Sequence, residues 1–133
     1  MPMPTLGSLL LSSTKPRRLR DWYVAVFEVH AERTPDDAYD VLGFGSDPAH
    51  RFWVMIDSRD DVGDANPEPG RFLLNIEVDD AEATARAVDA AGGRWLAPLE
   101  NRDGSLFGTA IDPDGNYIQL IQLSDQARAE MEG

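Results

Sequence analysis

The sequence predicts an α+β fold in which a strand–helix–strand–strand–strand module occurs twice. Two amphipathic helix patterns each follow an alternating strand, and each precedes three further strand candidates. Parts of the second half also repeat the first half at a distance of 65 residues. Strands and helices in this order, repeated once, indicate two similar α+β modules within one domain of 133 residues.

The first module is predicted over residues 5–57. Residues 6–13 alternate as a strand does, and the next segment carries an apolar stripe at i, i+3, i+4 and i+7, formed by Leu19, Trp22, Tyr23 and Val26. Pro16 suits the first helical turn, where a missing N–H needs no partner. Three strand candidates follow, at residues 28–33, 38–44 and 51–57.

The second module is predicted over residues 71–123. Its first strand, residues 71–78, leads into an Ala-rich helix with Asp79 or Asp80 as N-cap and Gly92-Gly93 as its end. Strand candidates follow at residues 94–100, 106–111 and 117–123, the last after the turn Asp112-Pro113-Asp114-Gly115. Residues 58–70, rich in Pro, Gly and Asp, are the predicted linker. The tail, residues 124–133, is compatible with a short helix or with disorder.

The internal repeat predicts a duplication that keeps one register. At an offset of 65, Leu9 falls on Leu74, and the pattern Gly-x-x-x-Asp-Pro recurs as GFGSDP (43–48) and GTAIDP (108–113). We expect structurally equivalent positions of the two modules to be 65 residues apart throughout.

Composition excludes several classes of function. The net charge of −12 repels phosphate backbones, so a nucleic-acid partner is not expected. The chain has no cysteine, hence no disulfide and no thiolate metal site. Its N-terminal apolar run precedes the basic residues, the reverse of a signal peptide, and no run is long enough to span a membrane. These features predict a soluble, cytoplasmic protein.

One face of the predicted sheet mixes apolar and polar side chains. Phe72, Leu74, Ile76 and Val78 are uniformly apolar and are expected to face the helix of their module. The opposite face is then expected to carry Ser8, Leu10, Ser12, Phe52, Val54, Ile56, Leu73, Asn75, Glu77, Tyr117, Gln119 and Ile121. Apolar walls with a few polar groups are typical of a small-molecule pocket, although a subunit interface or a filled core has the same composition.

The paired modules resemble the vicinal oxygen chelate superfamily, which includes glyoxalase I, the bleomycin-resistance proteins and the extradiol dioxygenases. The resemblance covers about residues 5–123 and is most specific in the segments EVDDAEA (77–83) and DPDGNYIQL (112–120). It implies a curved eight-stranded mixed sheet around a cavity, with the helices on the outer face.

The resemblance also places the family's four metal ligands on this sequence. They fall on Ser8, Val54, Leu73 and Gln119, whereas the metal enzymes use His, Gln or Glu there. Leucine and valine donate nothing, and an amide brings no charge, so no metal and no cofactor are expected. His30 and His50 are the only histidines, and we expect structural or surface roles for both.

Three hypotheses for function follow. The first is a metal-free protein that binds an aromatic or cationic molecule, as the drug-sequestering relatives do, with a pocket shared in a homodimer. The second is an enzyme of the same fold, a lyase or isomerase acting on a carbonyl compound or a relative of the dioxygenases. It is either metal-free, with Glu77 or Tyr117 as the catalytic group, or metal-dependent through ligands at other positions. The third is a non-catalytic interaction module. Asn75 is expected to orient a ligand, and Tyr117, Phe52 and Trp95 are candidates for stacking on it.

Overall fold

The computed structural model describes residues 3–132, so Met1, Pro2 and Gly133 of the predicted domain and tail lie outside the described residues. The chain divides into two compact units, the first ending at Asp64 and the second beginning at Ala65. This division falls inside the predicted linker, residues 58–70. Each unit contains one of the two predicted modules.

The first unit is a four-stranded mixed sheet with one helix. Its elements are β1 (Ser8–Ser13), α1 (Pro16–Phe27), β2 (His30–Arg33), β3 (Asp40–Phe44) and β4 (Phe52–Ser58), with a 3-10 turn at Pro48–His50. The strand order is β1-β4-β3-β2. β1 and β4 are parallel, and the other two pairings are antiparallel.

The second unit repeats this topology and adds a terminal helix. Its elements are β5 (Leu73–Glu77), α2 (Ala81–Ala90), β6 (Arg94–Arg102), β7 (Ser105–Ile111), β8 (Tyr117–Gln122) and α3 (Asp125–Glu132), with a 3-10 turn at Pro69–Arg71. The order is β5-β8-β7-β6, with β5 and β8 parallel. The predicted α+β class with two βαβββ modules is therefore confirmed, and the eight strands within residues 3–132 pair as two sheets of four. The C-terminal tail forms a helix.

Each helix packs an apolar stripe against its own sheet. In the first unit Leu19, Trp22, Tyr23 and Val26 are buried, as the sequence pattern predicts. In the second unit Asp80 is the N-cap, and its side chain accepts a hydrogen bond from the Ala83 amide at 3.0 Å. Gln122 adds a second cap, because its Oε1 accepts from the Ala81 amide at 2.7 Å. We call the face of each sheet turned away from α1 or α2 its distal face.

One predicted helix-facing residue is not packed. Phe72 is 88% exposed because β5 begins only at Leu73, so Phe72 precedes the strand rather than continuing its apolar row. Within β5, the apolar row that faces the helix consists of Leu74 and Ile76.

A buried carboxylate joins the helix, the edge strand and the inner strand of the first unit. Asp40 in β3 is 1% exposed. Arg20 of α1 donates to one of its oxygens at 3.2 Å, and Arg33 of β2 donates to the other at 3.0 Å. Hydrogen bonds to Asp21 and then to Asp40 raise the pKa of Arg20 above its ordinary value, against the opposing effect of desolvation. The guanidinium groups of Arg20 and Arg33 therefore both stabilise the fold by pairing with Asp40.

Two aspartates organise the turns between the last strands of each unit. Asp112 is buried, and one of its oxygens accepts from the amides of Asp114 and Asn116 at 2.9 Å each. In the first unit Asp47 accepts from the Ala49 amide at 3.0 Å and contacts His50 Nδ1 at 2.7 Å. The hydrogen bond with His50, followed by that from Ala49, lowers the pKa of Asp47. His50 therefore lies in an exposed turn, where the sequence predicts it.

Among residues 3–132, none of the helices is both long and apolar enough to cross a membrane.

Replacing Asp40 tests the role of this buried carboxylate. The Asp40→Asn variant leaves Arg20 and Arg33 facing a neutral amide, so we expect it to lower the free energy of unfolding by about 2–4 kcal/mol. Urea denaturation measures the change. Asp21→Asn is the matched control because Asp21 is exposed and contacts Arg20 only at the surface. An equal effect of both variants would contradict the special role of Asp40.

Candidate functional site

The distal face of the second sheet carries all six residues that the sequence places there. In the parallel pair of β5 and β8, Leu73 lies opposite Tyr117, Asn75 opposite Gln119, and Glu77 opposite Ile121. Side chains opposite one another in a parallel pair project to the same face. Ile118 and Leu120, the alternate residues of β8, are buried on the α2 side. The register of this sheet therefore agrees with the prediction.

Three neutral polar side chains cross the middle of this face. Gln119 lies between Asn75 of β5 and Thr109 of β7, which are its register partners on the two sides. Asn75 is exposed, Gln119 is half-buried and Thr109 is 8% exposed. Amides and hydroxyls both donate and accept hydrogen bonds. This row can therefore bind a hydroxyl, amide or carbonyl group without requiring a charge.

Apolar rows flank the polar row on both sides. One row is Leu73, Tyr117 and Ile111, and the other brings Ile121 beside Phe107. Sequence reasoning missed Phe107, Thr109 and Ile111 because it used only the first and last strands of each module. The alternation within residues 105–111 was the available signal.

Glu77 is ion-paired with the terminal helix. Arg128 of α3 lies 3.4 Å from Glu77 Oε1, and both side chains are about half exposed. The sequence makes Glu77 a candidate general base or a strand-end carboxylate with a structural role, and the structure places its carboxylate in contact with a cation. Tyr117 projects between Leu73 and Ile111 on the same face. The catalytic roles of both residues stay predictions.

The first sheet has a different register from the predicted one. Ser8, Leu10 and Ser12 of β1 lie opposite Trp53, Met55 and Asp57 of β4. Leu9 and Leu11 lie opposite Val54 and Ile56, both of which are 1% exposed in the core. The prediction that Phe52, Val54 and Ile56 share a face with Ser8 and Leu10 is wrong. Phe52 lies two residues before Val54 on the same strand, so its side chain also lies on the helix side of the sheet.

The error comes from a change of offset between the modules. Leu10 and Asn75 are equivalent at an offset of 65, but their partners Met55 and Gln119 are 64 apart. The connections also differ, because residues 45–51 join β3 to β4 whereas residues 112–116 join β7 to β8. The Gly43–Gly108 identity therefore does not mark equivalent strand positions. Since strand side chains alternate, a shift of one residue exchanges the two faces.

Trp53 and a glycine shape the distal face of the first sheet. Gly43 is the register partner of Trp53, and a Cβ placed on Gly43 would lie 2.9 Å from Trp53 Cζ3 and 3.1 Å from Arg51 Cδ. The indole therefore lies across β3 at a point where only glycine leaves room for it. His30, the partner of Gly43 on β2, is on the same face, and its Nε2 contacts Glu32 at 2.8 Å.

Trp95 lies on the other side of its sheet. Its Nε1 donates to Asp89 of α2 at 2.8 Å. Its predicted stacking on a distal-face ligand is therefore wrong, because the indole is held against the helix. Trp53 is the aromatic residue that the sequence prediction missed, through the same register error.

The family's metal positions do not provide a metal-binding donor set. With the corrected register the four positions are Ser8, Met55, Leu73 and Gln119. One amide, one hydroxyl, one thioether and an alkyl side chain do not match the imidazole, carboxylate or thiolate donors of zinc and iron centres. Within residues 3–132 there is also no group of three or more His, Cys, Asp or Glu arranged to hold a metal ion.

A shallow surface depression occurs at the end of the parallel pair β1 and β4. It is lined by Thr14, Ser58, Arg59, Asp60 and Asp61. Its charges are partly paired internally, since Arg59 donates to Asp61 at 2.8 Å and this bond lowers the pKa of Asp61. The depression contains none of the residues predicted for the site.

Comparison with known proteins gives a family match. The profile of the family described as "Glyoxalase-like domain" matches residues 8–121, which is most of the chain. No curated protein matches the sequence.

Solved structures share the fold at low sequence identity. One is a glyoxalase/bleomycin resistance protein/dioxygenase family enzyme from Burkholderia phytofirmans, with a TM-score of 0.69 and 16% identity over 91% of this chain and 100% of that one. TioX from a Micromonospora species has a TM-score of 0.66 and 21% sequence identity, over 90% of this chain and 98% of that one. A glyoxalase I mutant from Zea mays has a TM-score of 0.65 and 22% sequence identity, over 90% of this chain and 46% of that one.

Enlarging Gly43 tests the packing of Trp53 on the distal face. Gly43→Ala places a methyl group within 3 Å of the indole, so we expect Trp53 to shift and the free energy of unfolding to fall by about 1–3 kcal/mol. Urea denaturation and the NMR shift of the Trp53 indole N–H measure both effects. Gly70→Ala is the matched control, because no atom lies within 4 Å of its added methyl. An unchanged Trp53 resonance in Gly43→Ala would contradict this packing.

Proposed function

Because the chain belongs to the glyoxalase-like domain family of the vicinal oxygen chelate superfamily, we propose that it binds a small organic molecule on the distal face of one of its sheets, without a metal ion. The ligand class we propose is aromatic or cationic. The observation that carries the proposal is the composition of the distal faces. Aromatic and aliphatic rows surround a few neutral polar groups, which is the usual make-up of small-molecule sites.

The chemistry of the polar groups supports binding more than catalysis. Gln119, Asn75 and Thr109 are neutral and orient a ligand through hydrogen bonds. The carboxylate on the same face, Glu77, is in contact with Arg128. A metal-dependent reaction would need donors that Ser8, Met55 and Leu73 do not offer.

Charge supports the cationic part of the ligand class. The chain carries 24 acidic and 12 basic residues, so its electrostatic field raises the local concentration of organic cations.

We further propose a cytoplasmic homodimer, for which sedimentation velocity should give twice the 14.7 kDa chain mass. A monomer at micromolar concentration would contradict the dimer without affecting ligand binding by the single chain.

A thermal-shift screen followed by one substitution tests the proposal. We expect some member of a library of aromatic amines and neutral aromatics to raise the Tm by several degrees at saturation, because a ligand that binds only the folded state stabilises it. Gln119→Leu, which removes the amide but keeps the size, should weaken binding of that compound about tenfold, as measured by calorimetry.

The matched control is Gln126→Leu on α3, the same chemical change at an exposed position. It should bind the compound as the unmodified protein does. The absence of any stabilising compound at saturating concentration would contradict the proposed function. Equal affinity of Gln119→Leu and the unmodified protein would contradict the assignment of the site.

A further inference from the structure

We propose that Asp57 recognises a primary ammonium group of a ligand whose apolar body lies along β4 on the distal face of the first sheet. This inference rests on the proposed function and narrows it to one ligand class and one charged contact. It starts from a carboxylate that the sequence prediction did not select, because the predicted register placed Asp57 on the helix side.

Asp57 has a buried oxygen without a partner. The residue is half-buried at the end of β4, and its Oδ1 atom is shielded from solvent with no hydrogen-bond partner among the described residues. Leaving a buried charged acceptor unpaired destabilises a fold. Asp40, a buried carboxylate of the same unit, has an arginine on each oxygen. Asp57 is only half-buried, so a ligand can reach its side chain, whereas Asp40 is 1% exposed and already paired on both oxygens.

The nearest basic residue along the strand is already engaged. Arg59, two positions beyond Asp57, donates to Asp61 at 2.8 Å, and this hydrogen bond is the main reason that its pKa is raised. Attraction to Asp57 is a smaller cause of that raised pKa, and Arg59 donates no hydrogen bond to Asp57 Oδ1. The register partner of Asp57 is Ser12, whose hydroxyl is neutral. A cationic hydrogen-bond donor for the Asp57 carboxylate is therefore what the local chemistry lacks, and a ligand ammonium group supplies one.

The residues along β4 define the rest of the ligand. Met55 and Trp53 precede Asp57 on the same face, with Leu10 of β1 beside Met55. Side chains four positions apart on a strand are separated by about 13 Å. An ammonium group at Asp57 with an apolar body over Met55 therefore reaches the edge of the Trp53 indole. A phenylalkylammonium ion of about this length fits the arrangement.

Three probes separate this contact from general electrostatic attraction. They are 4-phenylbutylammonium, its neutral alcohol 4-phenylbutan-1-ol, and 4-phenylbutyltrimethylammonium, which has the charge but cannot donate a hydrogen bond. Calorimetry at one ionic strength gives the three affinities. We expect the primary ammonium to bind at least about tenfold more tightly than either of the other two, because only it can donate to a charged acceptor.

Asp57→Asn should abolish this preference and bring the ratio of ammonium to alcohol affinity to about one. Asp60→Asn is the matched control, since it makes the same charge change at an exposed neighbouring position. It should keep the ratio of the unmodified protein. Without ligand, Asp57→Asn should have a Tm equal to or above that of the unmodified protein, because the shielded oxygen of Asp57 has no hydrogen bond to lose.

Four results would overturn the inference. They are a preference retained in Asp57→Asn, an equal loss in Asp60→Asn, no binding of the ammonium probe, and a lower Tm for ligand-free Asp57→Asn. The proposed function is judged separately. If the protein binds the alcohol as tightly as the ammonium ion, the role of Asp57 is wrong while ligand binding stands.

Discussion

Parallel pairing of the first and last strands of each module is the constraint on which the rest of the structure depends. β1 with β4, and β5 with β8, decide which alternate residues meet the helix and which form the distal face. The side chains of Val54 and Ile118 lie on the helix side, and those of Met55 and Gln119 lie on the distal face. Since the side-chain period of a strand is two, this register decides which residues form the candidate site.

Buried aspartates maintain the geometry that the register requires. Asp40 joins α1 to β2 and β3 through Arg20 and Arg33, so the helix has a fixed position on its sheet. Asp112 closes the turn before β8 with its side chain and thereby fixes where Tyr117 enters the sheet. These carboxylates are fully partnered, and the unpaired oxygen of Asp57 is notable by comparison.

Much of the fold follows from the sequence, because strand alternation and helix periodicity are local properties. The helix stripe at Leu19, Trp22, Tyr23 and Val26, the cap at Asp80 and the distal face of the second sheet were all predictable. The distal face of the first sheet was not, because a constant offset of 65 ignores the different connections between strands. Because the true offset at β4 is 64, the sequence prediction left Trp53 and Asp57 out of the distal face and wrongly placed Phe52 and Val54 there. The burial of one Asp57 oxygen depends on three-dimensional packing, which no local pattern encodes.

We propose that this glyoxalase-like domain lacks the donors of a metal centre and binds its ligand on the distal face of a sheet. Elemental mass spectrometry of the tag-free protein, purified without chelator from cells supplied with zinc, nickel, manganese and iron, tests it most directly. We expect far less than one metal ion per chain. About one ion of any of these metals per chain, retained through dialysis, would contradict it, because Ser8, Met55, Leu73 and Gln119 would then not be the positions that matter.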